Sequence, residues 1–142
     1  MHRGAVMLSL TAEYALRTVL FLADRGGQPA RVEEIAQALG VPRNYLSKTL
    51  HRLAREGILR STRGKGGGFR LGVDPGRLTL LRIVAPFDQM PGERHCLLGR
   101  PQCSDRNPCP AHSRWKAVSG RVADFFRETT VRDLVLGRRA TA

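Results

Sequence analysis

Lysine is scarce in this chain, and arginine takes its place. Only Lys48, Lys65 and Lys116 are lysines among the 24 basic residues, whereas aspartate and glutamate together number 12, so the formal net charge is +12. Arginine binds a phosphate through two N–H groups at once and also stacks on bases. A genome that favours arginine codons would produce the same composition without any function. The basic excess favours a nucleic-acid partner over that alternative.

Long apolar runs and a leader are also missing. No segment approaches the ~20 apolar residues that a membrane-spanning helix needs, and the N-terminal residues MHRGAVMLSL lack the apolar centre of a signal peptide. We therefore expect a cytoplasmic protein with no membrane partner, in a compartment where thiols stay reduced. The 142 residues suffice for one compact domain, or for a small domain with an appendage.

Cysteine is absent outside one irregular segment between His95 and His112. Cys96, Cys103 and Cys109 all lie there, among prolines that keep the segment out of regular structure. An odd number of thiols cannot all pair as disulfides within one chain. A catalytic cysteine needs a base and a group that orients the base, and three clustered thiols are redundant for that purpose. We therefore predict that the protein is not an enzyme.

Three hypotheses for the cysteine segment remain open. The thiols could form a redox switch, with pKa values lowered by neighbouring arginines. They could instead bind zinc with His112 as a fourth ligand, or the same residues could hold an iron–sulfur cluster. The spacing of the cysteines does not distinguish a zinc site from an iron–sulfur cluster. The arginines in question are Arg94, Arg100 and Arg106.

The residue pattern of the N-terminal half predicts a helix-turn-helix motif. Apolar residues recur at helical spacing from Ser9 to Ala23, and two short helices follow, separated by a tight turn at Val41 and Pro42. The second of these helices, which ends at Gly57, presents a polar and basic face without an acid. A solvated face usually mixes charges, whereas donors alone suit the base edges and phosphates of a major groove. The residues of that face are Asn44, Ser47, Lys48, His51, Arg52 and Arg55.

A β-hairpin is predicted directly after this helix. Residues 58–62 and 69–71 form its strands, and the glycines of RGKGGG permit the positive φ angles of a tight turn. With Arg63, Lys65 and Arg70 around the turn, the hairpin suits a wing that lies on a phosphate backbone or in a minor groove. A flexible hairpin tip is the alternative. The predicted fold class is mainly α with a small β-hairpin wing, a winged helix-turn-helix.

A long helix is predicted after the cysteine segment. Trp115, Val118, Val122 and Phe125 are spaced 3, 4 and 3 residues apart, and Phe126 lies beside them. Such a row usually packs on the core of its own chain, but the bundle here is small, so we expect a partner helix and hence a homodimer. The predicted organisation is a DNA-binding domain over 1–85, a cluster-binding loop over 86–113, and a dimerisation helix with a C-terminal helix over 114–142.

Two shorter helices are predicted from their caps. Thr79 can cap a helix that Pro86 limits. Thr130 and Asp133 have the spacing of a capping box at the start of the last helix. The arginine-rich C-terminal tail is expected to fray.

The order of these parts along the chain resembles that of a known family. The parts are LTAEYALRTVLFLA, EEIAQALGVPRNYLSKTLHRLAREGILRSTRGKGGGFRL, the three-cysteine loop, the long helix and TTVRDLV, over residues 7–136. Together they resemble the Rrf2 family of dimeric winged-helix transcription regulators. The resemblance implies a long helix that crosses to the partner subunit and a cysteine loop that holds a [2Fe–2S] or [4Fe–4S] cluster. It also implies that cluster state sets DNA affinity, in response to nitric oxide, redox state or the supply of iron.

The resemblance assigns the ligands residue by residue. Cys96, Cys103 and Cys109 match the cluster thiolates. The fourth ligand matches His112 in IscR-like members, whereas NsrR-like members use a carboxylate of the partner's first helix, which corresponds to Glu13. We prefer His112, because the Cys-x2-His interval matches. We favour a [2Fe–2S] over a [4Fe–4S] cluster, with zinc as the alternative cofactor.

The expected partner is a double-stranded DNA operator, bound by a regulator that we expect to be a repressor. Six residues separate the first two cysteines, where family members often have five, and His95 matches no ligand. Ser47 stands where a glutamate gives IscR its site discrimination, so the operator cannot be transferred. The alternative is a zinc-stabilised Cys3His nucleic-acid-binding protein without a sensing role. The residues expected to contact DNA are Arg43, Asn44, Tyr45, Ser47, Lys48, His51, Arg52, Arg63, Lys65, Gly66 and Gly67.

Overall fold

Helices dominate the computed structural model, which describes residues 8–89 and 96–141, with side chains as far as residue 137. Arg94 and His95 therefore lie outside the described residues. The predicted fold class, mainly α with a β-hairpin wing, is confirmed. The elements within the described ranges are α1 (Leu10–Ala23), α2 (Val32–Leu39), α3 (Arg43–Arg55), β1 (Leu59–Thr62), β2 (Gly68–Leu71), α4 (Leu80–Val84), α5 (His112–Glu128) and α6 (Val131–Thr141). Every helix in these ranges is too short or too polar to cross a bilayer.

The caps that begin α4 and α6 are those the sequence predicts, and Ser9 caps α1 in the same way. The Ser9 hydroxyl accepts from the Ala12 N–H at 3.2 Å at the start of α1, and the Thr79 hydroxyl caps α4. At α6, Asp133 Oδ2 accepts from the Thr130 N–H at 2.9 Å, and Thr130 Oγ1 accepts from the Asp133 N–H at 3.2 Å. The backbone N–H of Thr130, and after it the Thr130 hydroxyl, hold the pKa of the Asp133 carboxyl below its usual value. Each cap satisfies N–H groups that the helix itself leaves free.

A glycine with a left-handed backbone conformation lies between α2 and α3. Gly40 ends α2 with φ 66°, a conformation that costs glycine little. The next N–H, of Val41, then donates to the Ala36 carbonyl at 3.0 Å, and Pro42 precedes α3. This turn directs Leu46 and Leu50 of α3 into the core, where both are fully buried. The opposite face of α3 is therefore left to solvent.

The wing is a hairpin with a third backbone partner. Leu59 of β1 lies opposite Leu71 of β2, in antiparallel register. Ala30, just before α2, exchanges two hydrogen bonds with Phe69, at 2.9 and 2.8 Å. The approach is close at Gly68, where a Cβ atom would lie 2.6 Å from the Ala30 carbonyl oxygen. The wing is thus fixed to the segment that leads into the helix-turn-helix.

One hydrophobic core joins the two ends of the chain. Phe126 of α5 and Val131 of α6 belong to the same buried cluster as Val19 of α1 and Ile83 of α4. Thr79 and Thr130 form an antiparallel bridge, with the Leu80 N–H donating to the Thr129 carbonyl and the Val131 N–H to the Leu78 carbonyl. The C-terminal helices therefore pack on the same core as the winged helix-turn-helix.

Candidate metal centre and nucleic-acid interface

The three cysteines converge on one point. Their Sγ atoms all lie within 4.8 Å of one another, and those of Cys96 and Cys109 are 3.5 Å apart. Cys109 is buried, whereas Cys96 and Cys103 are half-buried, and all three are free thiols. Short backbone turns fold the loop around this point, because the Gly99 N–H donates to the Cys96 carbonyl and the His112 N–H to that of Cys109. The loop can present three sulfur atoms to one metal centre.

His112 lies beside the thiols at the first position of α5. Its Nδ1 is 3.3 Å from Cys103 Sγ, and its Nε2 is 2.7 Å from Asp105 Oδ1. Lys116 and His112 lower the pKa of the Asp105 carboxyl. Glu13 lies in the first turn of α1. Among the described residues, the group whose ligand atoms all lie within 4.8 Å of one another contains the three cysteines, and neither Glu13 nor His112 belongs to it. His112 nevertheless contacts one of these thiols, that of Cys103.

The thiols differ in acidity. The backbone N–H of Arg100 is the main cause that lowers the pKa of Cys96 to about 7. For Cys103 the backbone N–H of Cys109 lowers the pKa, but burial and the neighbouring thiols outweigh it, so the pKa is raised. The expectation that arginine side chains lower the pKa of every thiol is wrong for Cys103. The shift of Cys96 comes chiefly from a backbone amide.

The donor set fits a thiolate-bound metal. Three sulfur atoms with an adjacent imidazole are the soft ligands that zinc and iron–sulfur centres use. A metal binds thiolates and displaces their protons, and the low pKa of Cys96 makes one of them available near neutral pH. The converging sulfur atoms could hold a metal of either class.

The residues that the sequence predicts to contact DNA lie on α3 and the wing. Tyr45 is 65 % exposed, Ser47 is half-buried, and Gly67 is buried within the turn of the wing, where its N–H donates to the Gly64 carbonyl. Gly67 therefore shapes the wing rather than facing outward. The other exposed residues of the predicted surface are Arg43, Asn44, Lys48, His51, Arg63, Lys65 and Gly66.

A groove of about 620 Å³ separates α3 from the wing. The His51 ring lies over its floor, 5.9 Å from the ring of Phe69. Arg31, which no sequence pattern marked, donates from Nη2 to the Gly64 carbonyl at 2.8 Å and so holds the tip of the wing. The groove is bordered by donors on both sides, as a nucleic-acid backbone requires. Its lining residues are Lys48, His51, Ala54, Arg55, Ser61 and Phe69.

Two arginines of this surface are paired with acids from outside the α3 face. Arg43 Nε lies 2.7 Å from Glu33 Oε1 of α2, and Arg52 Nε lies 3.0 Å from Glu56 Oε1. The pKa of the Glu33 carboxyl is lowered by the backbone N–H of Glu33 and by the Arg43 side chain, so Glu33 stays ionised at neutral pH. Arg52 is half-buried. A phosphate must compete with these carboxylates for both guanidinium groups.

Glu33→Gln is expected to strengthen DNA binding. The substitution frees Arg43 for a phosphate and removes a negative charge beside the interface, and because the pair is exposed the gain should be roughly two- to fivefold. Fluorescence anisotropy with a duplex of random sequence at fixed salt measures it. Glu34→Gln is the matched control, since Glu34 pairs instead with Arg25 at 2.6 Å. Equal gains for the two variants would show that only net charge matters.

Residues 8–137 match the Rrf2 family, described as an iron-dependent transcriptional regulator. The chain belongs to the Rrf2 family. An HTH-type transcriptional regulator of Aquifex aeolicus is 35 % identical to this Rrf2 chain over 132 residues, which cover 92 % of each sequence. The regulator IscR of Vibrio cholerae is 28 % identical over 130 residues, which cover 91 % of this chain and 75 % of IscR. CymR, the global cysteine regulator of B. subtilis, shares the fold with a TM-score of 0.78 at 23 % identity, covering 92 % of this chain and 97 % of CymR.

Membership in the Rrf2 family makes the protein a DNA-binding transcription regulator. The family consists of regulators rather than enzymes, which confirms that prediction as well. In helix-turn-helix proteins the second helix of the motif lies in the major groove of DNA, and α3 is that helix in this chain.

The predicted dimerisation residues of the Rrf2 chain lie on two sides of α5. Val118 and Phe125 are 55 % and 50 % exposed, while Trp115 and Val122 are half-buried. Phe126 is only 4 % exposed and packs in the core of its own chain, with its ring edge-on to that of Phe125. The exposed and half-buried apolar surface of α5 is therefore formed by Trp115, Val118, Val122 and Phe125, and Phe126 is not part of it.

Proposed function

We propose that this Rrf2 protein is a homodimeric cytoplasmic repressor whose operator affinity is set by an iron–sulfur cluster. The observation that carries the proposal is the convergence of three Sγ atoms within 4.8 Å, in the same chain as a basic recognition helix and wing. The iron-dependent description of the family and the relative named IscR support it. The signal would be nitric oxide, redox state or the supply of iron and clusters.

The ligands in this proposal are Cys96, Cys103, Cys109 and His112, with Glu13 of the partner subunit as the alternative to His112. A bound [2Fe–2S] cluster, favoured over [4Fe–4S], would supply a centre whose charge and occupancy respond to oxidants and iron. The chain itself supplies the thiolates and the imidazole. It also partly buries the sulfur atoms, which limits the access of water.

The fold offers a path from the loop to the DNA-binding surface. α5 begins at His112, three residues after Cys109, and packs on α4, which in turn packs on α1. The exposed Val118 and Phe125 on α5 suit a partner helix. A change in the start of α5 would thus alter the distance between the two recognition helices of a dimer. Each base contact that is lost costs about 1–3 kcal/mol, so the loss of a few contacts suffices to empty an operator.

Anaerobic purification followed by iron, sulfide and zinc analysis tests the cofactor. We expect iron and sulfide in equal amounts, a brown protein, and a mass of two chains by light scattering. Affinity for promoter duplexes should differ on the order of tenfold between cluster-bound and apo protein at one salt concentration. A colourless zinc protein would favour the zinc-stabilised alternative, and a monomer would exclude the dimer. Equal affinities at every promoter tested would exclude sensing.

A further inference from the structure

Asp105 lies in the interval between Cys103 and Cys109 and contacts two residues of α5. Its Oδ1 is 2.7 Å from His112 Nε2, and Lys116 Nζ donates to both carboxylate oxygens, at 3.1 and 2.9 Å. His112 and Lys116 are one helical turn apart, so they face Asp105 together. The Asp105 side chain is 69 % exposed and that of His112 only 18 %. The carboxylate therefore reaches a shielded imidazole from the solvent side.

A turn in the loop holds Asp105 in this place. Ser104 and Asn107, which flank the turn, exchange backbone hydrogen bonds at 3.1 and 3.3 Å, and the Ser104 hydroxyl also accepts from the Asn107 N–H. Arg100 donates to the Asn107 side chain at 3.4 Å. The position of the carboxylate is thus set by the loop rather than by a flexible side chain alone.

The hydrogen bond determines which nitrogen of His112 keeps its lone pair. A carboxylate only accepts hydrogen bonds, so Nε2 carries the proton and donates to Asp105. In a neutral imidazole Nδ1 then has the lone pair, and this is the nitrogen that lies 3.3 Å from Cys103 Sγ. The arrangement leaves a ligand atom directed at the cysteine cluster before any metal binds.

We propose that Asp105 is a positioning residue that fixes the tautomer and ring orientation of His112 for metal binding, with Lys116 holding the carboxylate. The inference rests on the proposed function in one respect, because it takes His112 as the fourth ligand. Carboxylates that accept from the far nitrogen of a metal-binding histidine orient the ring and raise its basicity. Asp105 and Lys116 are thereby parts of the metal centre although neither binds the metal.

Nitrogen-15 NMR of the reduced apo protein tests the tautomer without any metal. In the wild type we expect His112 Nε2 to be protonated and Nδ1 to be unprotonated. Asp105→Ala should give a mixture of tautomers at the same pH. Asp124→Ala is the matched control, since Asp124 is an exposed acid of α5 that pairs with Arg127 at 2.9 Å. The same tautomer population in wild type and Asp105→Ala would overturn the proposal.

Titration with Co²⁺ tests whether the effect reaches the metal. Asp105→Ala should weaken Co²⁺ binding about 10- to 100-fold, and Lys116→Ala less. In a His112→Ala background Asp105→Ala should have no further effect, because Asp105 acts through the imidazole. An equal loss in both backgrounds would overturn the proposal. So would unchanged Co²⁺ binding in His112→Ala, which would also reject His112 as a ligand. Equal operator affinity of the cluster-bound and apo protein would reject the sensing function alone, without affecting these measurements.

Discussion

Cys109→Ala is expected to abolish the metal centre while the protein stays folded. Cys109 is the buried thiol of the three, its Sγ is 3.5 Å from that of Cys96, and its backbone N–H donates to Cys103. Removing one of three thiolates should weaken metal binding on the order of 100-fold or more. The cysteine lies outside the main hydrophobic cluster, so the helical content should not change. Iron, sulfide and zinc analysis of the anaerobically purified variant measures the first effect, and circular dichroism the second.

Gln102→Ala is the control for this experiment. Gln102 is exposed in the same loop, beside Cys103, and its substitution removes no sulfur atom. We expect the metal content of this variant to equal that of the wild type. A Cys109→Ala protein that retains its full metal content would show that the buried thiol is not a ligand, and the proposed centre would then be wrong.

Gly68→Ala is expected to destabilise the wing strongly. At φ 135° an alanine is strained, and its Cβ would meet the Ala30 carbonyl carbon and oxygen at 2.7 and 2.6 Å. The backbone would have to separate, at the cost of the two hydrogen bonds between Ala30 and Phe69. Strain and lost bonds together should lower the free energy of unfolding by about 3 kcal/mol. Urea denaturation followed by circular dichroism measures the loss.

Gly66→Ala separates the two causes. Gly66 also has a positive φ, of 79°, but a Cβ there meets nothing within 4 Å. Only the conformational strain remains, which should lower the free energy of unfolding by about 1–2 kcal/mol. If the two variants are equally stable, the close approach of Ala30 contributes nothing, and the third backbone partner does not hold the wing.

The parts of the fold that depend on neighbouring residues could be predicted from the sequence. The capping box of Thr130 and Asp133 is an example, because both hydrogen bonds lie within one helical turn. The recognition helix and the hairpin follow from periodicity and glycine content in the same way. The spacing of the α5 residues was less informative. It could not show that Phe126 enters the core while the adjacent Phe125 remains half-exposed, because that depends on where α1 and α4 lie.

The residue types of the candidate site could be predicted from the sequence, but the contacts between its residues could not. Three thiols and a histidine in one short segment indicate a metal without any knowledge of the fold. The contact of Asp105 with His112 needs the loop to fold back on α5, and no spacing rule describes such a loop. The pair of Arg43 and Glu33 joins two helices, so a view of α3 alone shows a purely basic face. Long-range contacts of this kind depend on the turn between the helices.

The bridge between Thr79 and Thr130 ties the C-terminal helices to the winged helix-turn-helix. A chain cut after residue 85 would lose Phe126 and Val131 from its core. If the protein has the proposed function, its cysteine loop therefore cannot be exchanged as a separate domain. A new sensitivity would arise by substitutions within the loop of residues 96–111, while the surrounding helices stay in place.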